Sequence, residues 1–183
     1  MAQFIAFDKN AEILGRPVLS MLNAFPAYYR ADIERIMQEN AIVNVTPSSW
    51  HNQQGFLNVL KEISNRYGAN TLFGAGVAIG DNIPFPSEAT LESVFSAWGE
   101  VHSTHYRNGY VGYIRLLSFD SSAQKAVMEC KNADSCHFER GIITACLRRF
   151  KPKNAVFFDV QLDKTKPSRL DGADSSFYII TWF

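Results

Sequence analysis

The chain has 183 residues, of which 18 are basic and 18 acidic, and 46% are apolar. A chain of this length can bury about 70% of the surface its unfolded form exposes, so folding requires neither a metal nor a disulfide. The composition excludes a disordered polypeptide, and the cancelled charge argues against nucleic-acid binding, which relies on a basic face. No window approaches the roughly 18 uninterrupted apolar residues of a membrane span. Three cysteines without a leader sequence predict reduced thiols in a cytoplasmic protein.

Taken in order, QFIAF at residues 3–7 has the apolar text of a short strand. From Arg16, the spacing of Val18, Met21, Leu22 and Phe25 predicts a helix that Pro26 ends. Tyr29, Ile33, Ile36 and Met37 form the apolar stripe of a second helix. AIVNV, residues 41–45, reads as extended. A third helix carries Leu57, Leu60 and Ile63 inward and ends at Gly68, a C-cap residue. NTLFGAGVAIG is small and apolar, and it is followed by the turn-rich DNIPFPS. A long helix then places Leu91, Phe95 and Trp98 on one face, with Ser87 and Thr90 at its entry.

After Asn108-Gly109 the period changes. YVGYIRLLSF and AQKAVMEC predict two strands joined by a polar turn. The helix CHFERGIITACLRRF follows, and then the strands AVFFDVQL and SSFYIITWF. Helices segregated from antiparallel pairs predict an α+β fold: an N-terminal helical layer on a mainly antiparallel sheet of about four strands, with one inserted helix. No linker or internal repeat is visible, so residues 1–183 are expected to form one domain.

The motifs are sparse. GAGVAIG is one residue too long for a dinucleotide fingerprint and lacks the required strand before it. Its small residues instead suit close helix packing. His102 and His105 form an i, i+3 pair, but a metal needs three or four ligands, and nothing in the spacing requires Glu100 or His51, the obvious candidates, to converge on them. The cysteines match no zinc pattern. Cys136 sits just past Asp134-Ser135, a capping pair, where free backbone N–H groups favour a thiolate. It is either a reactive thiol or a small apolar residue closing the helix onto the sheet. Cys146 reads as core. Arg148, Arg149, Lys151 and Lys153 complement a helix C-terminus.

The C-terminal half resembles a known family. A strand pair ends in ECKN, a turn leads to Cys136 and Phe138, the helix RGIITACLRRF follows, and GADSSFYIITW closes the chain. This order is similar to the 4-vinyl-reductase-type small-molecule-binding domain, related in fold to the heme-nitric-oxide-binding domain and to the TRAPP subunits of Golgi transport. The family's closing strand starts with Gly, an acidic residue, Cys and an aromatic; Gly172, Asp174, Ser176 and Phe177 stand there, so the usual cysteine is a serine. The tyrosine-x-serine-x-arginine motif for heme propionates is absent, and heme sensing is not carried over. The resemblance implies a ligand-binding or sensory module, paired as a homodimer, with a pocket between helices and sheet.

The expected function is therefore non-enzymatic binding of a small hydrophobic ligand, without a cofactor or metal. The expected pocket lies between residues 73–80 and 136–142 and is lined by Phe73, Gly76, Phe95, Trp98, Cys136, Phe138 and Ile142. The alternatives are a cysteine-dependent enzyme pairing Cys136 with His102 or His105, and a scaffold that works through its surface.

Overall fold

A computed structural model describes residues 3–183. The first half is helical: α1 (Gly15–Asn23), α2 (Ala27–Glu39), α3 (Gln53–Tyr67), α4 (Ala69–Asn82) and α5 (Leu91–Ser103). Short strands β1 (Glu12–Leu14), β2 (Trp50–Asn52) and β3 (Tyr106–Arg107) form an antiparallel strip in the order β2-β1-β3. The second half carries β4 (Tyr113–Asp120), β5 (Lys125–Lys131), α6 (Cys136–Phe150), β6 (Phe158–Leu162) and β7 (Ser176–Trp182). Its four strands pair antiparallel in the order β4-β5-β7-β6. The α+β expectation and the four-strand sheet with one inserted helix match this architecture; the three-stranded strip is additional.

Helix ends follow from local chemistry. Thr90 and Ser93 close a reciprocal capping box at the start of α5, with Thr90 Oγ1 accepting from the Ser93 amide at 3.1 Å. Ser135 caps α6 by accepting from the Phe138 amide at 3.1 Å. Gly68, at φ +87°, ends α3 and begins α4, an angle few side chains tolerate.

Two segments read as extended are not strands. The amide of Phe4 (φ +65°) donates to Ala133 O, and Gln54 brackets the same segment, accepting from the Ala6 amide and donating to Phe4 O. With those groups committed, residues 3–7 cannot form a ladder. In residues 41–45, Ala41 and Asn44 take positive φ and break extension.

On the sheet, alternate residues of β7 (Ser176, Tyr178, Ile180, Trp182) are buried beneath α6, as are Ala126, Met128 and Cys130 of β5. Ile143 and Leu147 of α6 are fully buried, and each stabilises the fold by about 1.5–3 kcal/mol. On its other side α6 meets α4 at van der Waals range. A Cβ added at Gly76 would lie 2.1 Å from Phe138 O, and one at Gly141 would lie 2.2 Å from Phe73 O. Each glycine costs its helix roughly 0.5–1 kcal/mol, which the close backbone approach offsets.

Candidate functional site

Beside the α4–α6 seam, α6 diverges from α5 and α1 and leaves a cavity of about 70 Å³. Its walls are mostly apolar. Trp98 and Val101 of α5 face Phe138 and Ile142 of α6, while Ile79 and Ile114 close the ends. Arg16, Asn82 and Pro84, all exposed, stand at the mouth. The small strip brings Ile13 and Tyr106 to the same space, because β1 pairs with β3 and α5 runs directly into β3.

One end of this cavity is polar. Asp134 and Glu139 line it, with only 4% and 2% of their surface exposed. Asn132 Nδ2 donates to Glu139 Oε1 at 2.6 Å. Among the described residues no N–H donor reaches Glu139 Oε2, Asp134 Oδ1 or Asn132 Oδ1, while the Cys130 thiol lies within hydrogen-bond reach of Glu139. Burial first, and then the charge of Asp134, raise Glu139 to about 8, while burial, offset in part by the Arg169 guanidinium, leaves Asp134 raised to about 6. The two side chains hydrogen-bond to each other, which requires a proton on one of them, and Glu139 holds it.

His102 lies in the α5 wall, its ring 4.7 Å from that of Tyr106. Its Nε2 is shielded from solvent and has no partner among the described residues. Burial, and then His105, depresses this imidazole to about 4, so it is neutral near pH 7. Burial and then the two acids hold the Tyr106 phenol well above its ordinary value. Among the described residues no group of three or more His, Cys, Asp or Glu is placed to hold a metal ion.

Three of the seven residues read from the sequence as pocket residues line this cavity: Trp98, Phe138 and Ile142. The other four lie elsewhere. Gly76 sits in the seam against Phe138 O, so the segments 73–80 and 136–142 touch there, while Ile79 of the first lines the cavity together with Phe138 and Ile142 of the second. Phe73 lies beneath the Arg140 guanidinium, 4.9 Å away, on an outer groove. Phe95 is fully buried beside Trp98 in the core. Cys136, 4% exposed, is the first residue of α6, and its Sγ lies 3.1 Å from Ser176 Oγ. The thiol's hydrogen-bond partner is therefore a serine on β7, not His102 or His105, which removes the geometric basis for a Cys–His pair. Ser176 stands where the resembled family has cysteine, and its Oγ also accepts from the Arg169 amide at 3.1 Å.

Sequence reasoning missed the acid pair. Asp134 reads in the sequence as part of a cap, and Glu139 belongs to no motif. The usable signal was helical spacing: Glu139 lies three and four residues before Ile142 and Ile143, and seven before Cys146. That puts a carboxylate inside an apolar stripe.

No family model matches this sequence, and no curated protein matches it. Solved structures do match in fold. A crystal structure of an H-NOX protein from S. oneidensis in the Fe(II)NO ligation state superposes with a TM-score of 0.68 at 10% identity, covering 93% of this chain and 99% of that one. An oxygen-binding H-NOX domain related to soluble guanylate cyclases, in its oxygen complex, gives 0.65 at 16% identity, with 93% and 95% covered. An H-NOX structure solved to probe heme distortion gives 0.64 at 18% identity, with the same coverage. The chain thus has the H-NOX fold over nearly its whole length. Among the described residues no helix is long and apolar enough to cross a membrane.

Proposed function

We propose that this chain is a non-enzymatic ligand-binding sensory domain, holding a small and mostly apolar ligand in the cavity between α1, α5 and α6. One observation carries the reading: an apolar cavity whose wall holds a solvent-shielded, unpartnered His102 Nε2. A buried polar atom without a partner costs roughly 1–3 kcal/mol, and a ligand that reaches it relieves that cost. The fold supports the reading, since H-NOX structures include complexes with nitric oxide and oxygen. One hydrophobic cluster running from α1 to β7 supports treating the chain as one domain.

The fold also raises heme as a cofactor, and the residues present do not fit it. His102 Nε2 is a suitable axial donor in type. The space beside it, however, is about 70 Å³, while pockets for drug-sized molecules run about 300–1,000 Å³. The ligand is accordingly smaller than a porphyrin.

Thermal shift against a series of uncharged small aromatics tests the proposal, with Ile142→Trp as the blocked control. A binder stabilises the fold by about 2.7 kcal/mol at a hundredfold excess over its dissociation constant. The expected result is a concentration-dependent rise in Tm for wild type and none for Ile142→Trp. Equal shifts in both proteins place binding outside the cavity and refute the reading.

A further inference from the structure

The polar end of the cavity is rich in acceptors. Asp134 Oδ1 and Glu139 Oε2 receive no N–H donor among the described residues, although both residues are almost fully buried and line the cavity; the Cys130 thiol and the proton between the two carboxyls are what reach Glu139. Asn132 Oδ1 also lacks an N–H donor among the described residues. One proton shared between the two carboxyls still leaves acceptor lone pairs unfilled, since each ionised carboxylate offers about four. Independently of the acids, His102 Nε2 stands unpartnered in the α5 wall of the same cavity.

We propose that the cavity takes a small organic amine, with its aryl or alkyl body against Trp98, Phe138 and Ile142 and its protonated nitrogen on the Asp134–Glu139 pair. This names the ligand class for the binding reading above and rests on it. An ammonium group brings three N–H donors and no acceptor, the complement of this end of the cavity. An alcohol brings one donor, and a carboxylate brings only repulsion. The other charged or titratable groups around the pair are Arg169 beside Asp134, Cys130 on β5, Tyr106 on β3 and Tyr178 on β7, while His102, His105 and Arg16 line the same cavity. Arg169 balances one carboxylate. The second carboxyl is held neutral by its own proton, and an arriving ammonium takes that proton's place. Binding therefore releases one proton from Glu139 to the buffer.

Calorimetric titration of the intact chain near pH 7 tests this with benzylamine, benzyl alcohol and benzoate, which share one ring. Running each titration in two buffers of different ionisation enthalpy counts the protons released. The proposal expects benzylamine to bind at least tenfold tighter than benzyl alcohol, with close to one proton released, and benzoate not to bind. Glu139→Gln should abolish the proton release and bring the two affinities within about threefold. Asp134→Asn serves as the second variant if Glu139→Gln does not fold. Benzyl alcohol binding as well as benzylamine overturns the amine assignment and leaves the ligand-binding reading standing. Tighter binding of benzoate also overturns the assignment. If none of the three binds, the ligand-binding reading fails together with it.

Discussion

Helix α6 meets two other helices, and the two meetings are built in opposite ways. Toward α4 it presents Gly141, and α4 answers with Gly76, so backbone touches backbone and nothing fits between them. Toward α5 it presents Phe138, Ile142 and Glu139, and α5 answers with Trp98 and His102; here the large side chains hold the helices apart. Small residues close an interface and bulky ones open it, unless the bulky ones interlock fully. At the α5 side they do not, and the remaining space contains buried polar atoms without partners. The lesson is that aromatic richness locates a cavity only when it is read together with which helix faces meet.

The contrast can be broken by substitution. Leu at Gly76 or Gly141 forces carbon into a backbone oxygen, and each is expected to destabilise the fold by about 3 kcal/mol, at the upper end for overpacking. Ile142→Phe adds volume on the open side and is expected to change stability by less than about 1 kcal/mol. Urea unfolding of the three variants makes the comparison directly. Equal losses at positions 141 and 142 would mean that both faces are packed alike.

The acid pair sharpens the contrast through pH. An ordinary Glu carboxyl in the unfolded chain titrates near about 4.3, whereas folded Glu139 does so at about 8, so between those values the folded state binds more protons than the unfolded. Stability then falls as pH rises. His102 acts in the opposite sense, but only below about 6.5, where the unfolded imidazole takes up a proton that the folded one refuses. Asp134, at about 6, has finished titrating by then. Between pH 6.5 and 8 the stability of wild type should therefore decline by on the order of 1 kcal/mol per pH unit relative to Glu139→Gln. Parallel curves for the two proteins in that window would show that Glu139 is ionised there.

The smallest effect concerns the seam. Arg148 reaches Asp81 across it at 2.6 Å, with both side chains substantially exposed. Screening limits such a pair to about 0–1 kcal/mol, so Arg148→Ala should cost less than Gly76→Leu by several-fold. A larger loss would mean that the ion pair, rather than backbone contact, holds α4 to α6.

How much of this was legible in sequence depended on the length of each signal. Long apolar periods gave α3, α5, α6 and the four-stranded sheet, and Thr90 and Ser135 were readable as helix entries. Strands β1, β2 and β3 have three, three and two residues, too few for a period to register. QFIAF and AIVNV carry strand-like composition, but tertiary hydrogen bonds at the first and positive φ in both prevent extension. At the site, Trp98, Phe138 and Ile142 were readable as large apolar residues on facing helices. Phe95 is only three residues before Trp98, yet it points into solid core, and that rotation is set by packing partners distant in sequence. The buried acids were obscured because a carboxylate at a helix start usually serves the cap or the dipole.

The most direct measurement is NMR mapping of the intact chain with benzyl alcohol and benzylamine. The account predicts shift changes concentrated at the amides of Asp134, Phe138 and Ile142 and at the Trp98 and His102 side chains, with Gly76 and Gly141 unmoved. Changes centred on the α4–α6 seam, or scattered over the surface with the cavity residues silent, would contradict it.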